Sequence, residues 1–437
     1  MQPDYKVTHI DGEGHITGPP PVLDRIKRKL TLRATQGRPF TLELFREERG
    51  GLAVPRTLVS KCGLPVSGEW GKIKGKHHIV HEGRYAGQAK LIDDFMAGLK
   101  SHSPYGGILQ AGTDSGKTIL GIKLAYLLGL KTLIIVSRDV LVNQWQESIK
   151  EFTNLSDKHI GLIRAGRVAV ENKAFVIAMI HTLAQDTLPE WVRNEFGTVI
   201  FDEVHIVGAE TFSRAAPMFN CKTRIGLSAT ADRKDGMQKV FEWHIGSILA
   251  QSETVQSNNF RVVAIPYRGQ DASHVGCVWA GKLSLGKYYN RLANCSERTD
   301  LITRAIVKLY ERGEHILVLS DRIKILEDLK IGLELRRVRP GDIGLFTSKK
   351  KQGDRRILLA TAGTADLGMN MPRLTALVYA TPRADIRQSV GRLRTREDGG
   401  QSVVVDIVDT ASSIMRGWYG ARRKIYLTKT KDITEVK

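Results

Sequence analysis

The stretch Ala111-Gly-Thr-Asp-Ser-Gly-Lys-Thr118 decides the fold; it lies between the short apolar run Gly107 to Gln110 and the helix-patterned run Thr118 to Leu128. A strand that ends in a glycine-bearing turn and hands straight over to a helix has the form of a phosphate-binding loop. Loop amides and the helix N-terminus would face phosphate oxygens, Lys117 supplies a point charge, and the Thr118 hydroxyl can ligate Mg²⁺. On its own the pattern is also compatible with an ordinary turn. Downstream, however, Thr198-Val-Ile-Phe-Asp-Glu-Val-His205 reads as an apolar strand that delivers two carboxylates at its end, one to hold a metal and one to polarise water.

Working outward, short β-branched runs alternate with helix-period segments as far as Leu227. Thr132 to Val136, Phe175 to Met179, Thr198 to Phe201 and Thr223 to Leu227 read as strands. That alternation predicts a parallel α/β unit. Leu141, Trp145, Ile149 and Phe152 recur at helical spacing and are expected in the core. A less patterned stretch, 251 to 297, is expected to hold a domain junction, after which the alternation resumes. There Asp300 to Arg312 and Asp321 to Leu333 read as helices, and His315 to Leu319, Arg356 to Ala360, Leu374 to Ala380 and Ser402 to Ile407 as strands. Residues 1–83 look different and predict a small α+β accessory domain, with lobes at 84–255 and 256–437.

A chain of 437 residues is long enough for at least two cores. Its 66 Lys plus Arg against 46 Asp plus Glu give a formal charge of +20, which suits a polyanionic partner, nucleic acid first. Cys62, Cys221, Cys277 and Cys295 are scattered, so the cysteines indicate neither a zinc site nor a disulfide frame. No signal-peptide pattern and no apolar stretch of membrane-spanning length is present, and the expectation is a soluble, cytoplasmic protein without membrane contact.

Four patterns occur in one order at sensible spacing: the loop at 111–118, Asp202-Glu-Val-His205, Gly226-Leu-Ser-Ala-Thr230 and Gln388-Ser-Val-Gly-Arg-Leu-Arg394. In this the chain resembles superfamily 2 helicases over roughly residues 84–410. Val136-Ser-Arg-Asp-Val-Leu-Val-Asn-Gln-Trp145 and the segment Arg224 to Gly236 are similar to the XPB-type and phage UvsW-type DNA enzymes, whereas DEAD-box RNA helicases write both differently. The resemblance implies an α/β fold of two RecA-like parallel-sheet lobes, ATP and Mg²⁺ as cofactors, and a translocase that remodels branched DNA.

By the same resemblance, Gly112, Thr113, Asp114, Ser115, Gly116, Lys117 and Thr118 surround the phosphates, Thr118 and Asp202 hold Mg²⁺, and Glu203 orients or deprotonates the attacking water. Gln88 corresponds to an adenine-reading glutamine, because a carboxamide both donates to and accepts from a base edge. Ser228 and Thr230 link hydrolysis to lobe motion. Gln388, Arg392 and Arg394 serve catalysis from the second lobe, although the final arginine of the usual Gln-x-x-Gly-Arg-x-x-Arg spacing is replaced by Thr395, which leaves Arg394 and Arg396 both open. Gly368 and Asn370 stand where the family has Gly-x-Asp near the nucleotide sugar.

Ser137, Arg138, Arg164 and Gly166 of the first lobe and Ser320, Arg322 and Thr361 of the second match family positions beside the DNA phosphates. Phosphate contacts of this kind give tracking without sequence reading. The expected substrate is forked or Holliday-type DNA, with recombination or replication proteins as further partners. The alternatives are an RNA helicase or remodeller, and a DNA-translocating subunit that recruits a nuclease.

Overall fold

The computed structural model describes residues 4–33, 40–73, 79, 87–101, 103–112, 115–164, 166–185, 188–203, 209–228, 237–252, 260–279, 282–347, 352, 355–365, 371, 373–384, 386–391, 393 and 400–436. Two compact units divide the chain, Met1–Thr254 and Val255–Lys437.

The first unit opens with β1 (Lys6–Ile10), β2 (Gly14–Thr17), α1 (Pro20–Leu30), β3 (Thr31–Arg33), β4 (Thr41–Glu43), β5 (Arg46–Glu48) and β6 (Gly51–Val54). Antiparallel pairing gives a four-stranded sheet in the order β1-β2-β6-β5, with β3 and β4 as a separate hairpin. The remainder of the unit runs α2 (Gly87–Ser101), β7 (Gly106–Gln110), α3 (Lys117–Leu128), β8 (Thr132–Val136), α4 (Asp139–Phe152), β9 (Ile160–Arg164), β10 (Arg167–Val168), β11 (Phe175–Met179), α5 (Ile180–Gln185), α6 (Glu190–Asn194), β12 (Thr198–Asp202), α7 (Ala209–Ala215), β13 (Thr223–Ser228), α8 (Gln238–His244) and β14 (Ile248–Gln251).

These eight strands form one sheet in the order β10-β9-β11-β8-β12-β13-β7-β14, parallel except at β10. Both faces are covered, so the strands read as continuous apolar runs, while the two-residue period still sorts side chains between faces. Leu133, Ile135, Val176, Val199 and Phe201 enter the same core as Ile10, Ile16, Leu52 and Val54 of the small N-terminal sheet. Ile134, Val136, Ile177, Ile200 and Leu227 pack on the other face with Leu120 and Trp145. The α4 face foreseen from its periodicity is therefore core, with Trp145 and Ile149 buried and Leu141 and Phe152 packed at its margin.

Two buried arginines fasten the N-terminal segment to this lobe. Arg56 donates to the carbonyls of Cys221 and Tyr105 (2.6 Å to the latter), and Arg224 on β13 donates to the carbonyls of His244 (2.9 Å), Gly12 (2.7 Å) and Phe219 (3.2 Å). Burial, and after it the charge of Arg224, pulls the Arg56 guanidinium down to about 9. Burial and the same two cations hold the His244 imidazole neutral, at about 3.

The second unit runs β15 (Phe260–Tyr267), β16 (Val278–Trp279), β17 (Lys282–Leu283), α9 (Leu285–Leu292), α10 (Ser296–Glu311), β18 (Ile316–Ser320), α11 (Ile323–Leu335), β19 (Ile343–Phe346), β20 (Ile357–Thr361), α12 (Ala362–Ala365), β21 (Ala376–Tyr379), α13 (Arg387–Val390), β22 (Ser402–Asp409), α14 (Ser413–Leu427) and β23 (Ile433–Glu435). Its parallel sheet has the order β19-β20-β18-β21-β22-β15-β23. Ile316, Val318, Ile357 and Leu359 face one core, and Leu317, Leu319, Leu358 and Ala360 the other.

Within the stretch expected to be a junction, β15 is a long inner strand of this sheet. Pro266 hides it in the sequence, because proline is foreign to a central strand. It is tolerated because β23 pairs only with Val262, Val263 and Ala264, leaving the Pro266 end of β15 without a neighbour on that side. The rings of Tyr288, Tyr289 and Tyr426 are buried, their hydroxyls bonded to Ala272 O, Pro382 O and Asp406 Oδ2. They are core rings. Among the described residues no helix is long and apolar enough to cross a membrane.

Candidate active site

Strand β7 carries the chain to the carboxyl edge of the sheet, the edge at which parallel α/β sheets bind ligands. There Gly116 takes φ +75° as the N-cap of α3, and no side chain among the described residues caps that helix. A Cβ on Gly116 would come within 2.5 Å of Gln88 Nε2, so both the backbone turn and the close approach require glycine. The loop is braced by Ser115 Oγ donating to Gly112 O at 2.7 Å, and by Ala111 N donating to Ser228 O at 2.9 Å. The uncapped first turn of α3 leaves amides for an anion. Thr113 and Asp114 lie outside the described residues.

Beside that turn, β12 ends at Asp202, with only β13 between it and β7. Glu203 follows with φ +49°, a left-handed conformation that costs a non-glycine residue about 1–2 kcal/mol and that here swings its side chain towards α3. Glu203 Oε1 lies 3.0 Å from Lys117 Nζ in an ion pair only 12% and 19% exposed. Asp202 Oδ2 accepts from the Trp145 indole at 2.8 Å. Burial pushes the Asp202 carboxyl above the usual range and the Glu203 charge adds to this, while the Trp145 hydrogen bond and Lys117 oppose it. A hard dication would reverse that shift, and the donors present, two carboxylates and the Thr118 hydroxyl at the start of α3, are of the oxygen type that Mg²⁺ takes.

Gln88 on α2 is buried; its Nε2 donates to Ser115 O at 2.9 Å while Oε1 has no hydrogen-bond partner among the described residues. An orphaned buried acceptor costs about 1–3 kcal/mol, which a ligand N–H would recover. The residues present thus fit a nucleotide with its metal. Ser228 ends β13 between the two motifs, and its carbonyl accepts from Ala111 N; Thr230 lies outside the described residues.

The first-lobe phosphate candidates gather at the same edge. Ser137 follows β8 with its buried Oγ unpartnered among the described residues, and Arg138 is the N-cap of α4. Arg164 ends β9 and pairs with Asp139 at 3.0 Å, both about half exposed, and Gly166 (φ +77°) turns β9 into β10. In the second lobe, Ser320 and Thr361 are register partners at the ends of β18 and β20. Arg322 is tied within its own lobe, donating to Asn290 Oδ1 (2.6 Å), Asp321 O (2.8 Å) and Gly286 O (3.0 Å) and lying 5.6 Å from the Tyr289 ring centre. Gly368, Asn370, Arg392 and Arg394, and the side chain of Gln388 on α13, lie outside the described residues.

Sequence reading missed two kinds of residue. Trp145 was expected only as core, yet its indole positions Asp202; the available signal was that a buried tryptophan N–H almost always finds an acceptor. Arg298 and Arg422, both buried, hold Asp409 and Asp406 of β22 through paired guanidinium bonds of 2.6–3.2 Å. Charge alone gives no sequence signal for burial.

Comparison with known proteins agrees with this geometry. Residues 83–233 match the family described as type III restriction enzyme, res subunit. The candidate ATP-dependent RNA helicase L396 of Acanthamoeba polyphaga mimivirus is 28% identical over 89% of this chain and 76% of its own length. The DNA 3'-5' translocase XPB2 of Sulfurisphaera tokodaii is 32% identical over 143 residues, 33% of this chain and 31% of that protein. Among solved structures, a point variant of S. cerevisiae Dbp5 bound to RNA and ADP BeF3 shares the fold, with TM-score 0.54 and 13% identity over 79% of this chain and 89% of that chain. With two RecA-like sheets, the ordered motifs and these relatives, the chain is an ATP-dependent helicase, similar to the helicases of superfamily 2.

Proposed function

We propose that this helicase translocates on DNA and remodels branched DNA, forks and Holliday-type junctions, by branch migration or fork reversal in recombination, replication or repair. The observation that carries the motor reading is the linked set Trp145–Asp202 and Glu203–Lys117 at the foot of α3. In the resting arrangement Lys117 neutralises Glu203. When a triphosphate enters, its oxygens compete for the ammonium, and Glu203 is released to orient the attacking water and accept its proton. Asp202 and Thr118 would hold Mg²⁺, which when bound neutralises charge on the phosphates.

The first-turn amides of α3 and the loop residues Gly112 to Gly116 bind phosphate oxygens, and Gln88 Oε1 accepts from the base edge. Gly368 and Asn370 meet the sugar. Gln388, Arg392 and Arg394 supply charge to the transition state from the second lobe, a contribution on the order of 10³ to 10⁵ in rate for an inserted guanidinium. Ser228 and Thr230 carry the change in phosphate state to the lobes. Ser137, Arg138, Arg164, Gly166, Ser320 and Thr361 follow the DNA phosphates, joined by Arg322 only if it gives up its bonds within the lobe.

DNA is favoured by the charge of +20, by the XPB-type wording of 136–145 and 224–236, and by the similarity to a DNA translocase. The mimivirus relative carries an RNA name, which makes RNA the comparator. ATP turnover measured with forked DNA, a four-way junction, single-stranded DNA and duplex RNA tests the choice. Stimulation greatest with branched DNA is expected; stimulation greatest with RNA would overturn it.

A further inference from the structure

The N-terminal hairpin carries a cluster that the motor does not use. In Val7-Thr-His-Ile-Asp-Gly-Glu-Gly-His15, the pairing of β1 with β2 sets His9 opposite His15, and the tight turn brings Asp11 back towards both. One ligand atom from each of His9, Asp11 and His15 lies within 4.8 Å of the others. We propose that these three side chains bind a borderline divalent metal ion of the zinc class, leaving a further position for water or an outside ligand. Two imidazoles with one carboxylate suit such an ion, whereas Mg²⁺ and Ca²⁺ prefer all-oxygen sites.

The surroundings of His15 support the assignment. Its Nδ1 faces Glu48 Oε2 at 2.8 Å, and Glu48 is itself held by Arg46 at 3.0 Å. Its Nε2 faces Asp11 Oδ1 at 3.1 Å. A carboxylate that accepts a hydrogen bond from Nδ1–H fixes the tautomer and aims Nε2 at the ion, the supporting contact found around most histidine metal ligands. Asp11 is positioned independently, since Oδ1 also accepts from the Glu13 amide at 2.7 Å. His15 is buried, so its ring cannot turn away, and the ion would replace the proton that Nε2 shares with Asp11.

His9 completes the set by moving. Its ring is stacked on His15, centroids 3.8 Å apart and 9° from parallel, so both lone pairs cannot converge on one ion in this arrangement. His9 is exposed, and a change of rotamer turns it off the stack. The site also reaches the motor: Gly12, in the turn, gives its carbonyl to Arg224 on β13, the strand that ends in Ser228. An ion that stiffens this turn stiffens the seat of the N-terminal sheet on the lobe.

The test uses the full chain without a polyhistidine tag, titrated with Co²⁺ in excess Mg²⁺ so that oxygen-ligand sites stay filled. The visible absorption of nitrogen-ligated Co²⁺ is recorded. One ion per chain is expected. His9→Ala and Asp11→Asn should each weaken binding at least tenfold, and Glu48→Gln about 10–100-fold, as removal of a supporting carboxylate does. The unfolding midpoint should rise with metal in the wild type and not in His9→Ala, a substitution at an exposed position that leaves the fold intact. No Co²⁺ spectrum, or unchanged affinity in both His9→Ala and Asp11→Asn, would overturn the proposal and leave His15 as an imidazolium bridging two carboxylates.

Discussion

Trp145→Phe removes one hydrogen bond and leaves the motor residues themselves untouched. The indole N–H reaches Asp202 Oδ2 at 2.8 Å in a fully buried setting. A hydrogen bond to a charged acceptor contributes about 1.5–3 kcal/mol. Without it Asp202 loses one of the contacts that oppose its desolvation, and its carboxylate is less well oriented. The smaller ring also opens space beside Gly121, where a Cβ would lie 3.0 Å from the Trp145 ring. Converted at about 1.4 kcal/mol per factor of ten, the lost bond weakens metal use about 10–100-fold. The assay is steady-state ATP turnover against Mg²⁺ concentration, alongside denaturant unfolding. Half-saturating Mg²⁺ should rise by that factor while turnover at saturating Mg²⁺ stays within a few-fold of wild type. An unchanged Mg²⁺ dependence in a folded variant would refute the positioning role of Trp145.

Further outcomes follow from the same geometry. Gly116→Ala places a Cβ 2.5 Å from Gln88 Nε2 at φ +75°, and ATP affinity measured by fluorescent-nucleotide competition should fall at least tenfold; unchanged affinity would remove the loop from the site. Arg224→Leu leaves the carbonyls of His244, Gly12 and Phe219 without their donor, and should destabilise the first unit by about 3–5 kcal/mol in urea unfolding. A loss below about 1 kcal/mol would show that these contacts are dispensable. Arg138→Ala should weaken DNA binding equally across sequences and reduce the slope of log affinity against log salt by about 1, with an unchanged slope counting against a phosphate contact.

The strands that place the site were legible because a parallel sheet covered on both faces is written as unbroken apolar runs. Thr132–Val136 and Phe175–Met179 stand where they were expected, and the strands at Thr198 and Thr223 each run one residue further, to Asp202 and Ser228. The carboxylates sit at strand ends for the same reason. What periodicity does not encode is the third dimension of polar groups. It placed Trp145 on the inner face of α4 without naming its partner, and gives no sign that Arg56, Arg224, Arg298 and Arg422 are all buried. Strand β15 was lost to Pro266, and the N-terminal sheet to strands of three to five residues, too short to show alternation.

The central claim is that Glu203, released from Lys117, drives remodelling of branched DNA. Its most direct test is strand exchange on a synthetic four-way junction with ATP, comparing wild type with Glu203→Gln and using an RNA duplex of matched length as control. Wild type should resolve the junction into duplex products and leave the RNA intact, while Glu203→Gln binds the junction with near wild-type affinity and fails to move it. Junction resolution by Glu203→Gln at the wild-type rate, or faster unwinding of RNA than of any branched DNA by wild type, would contradict it.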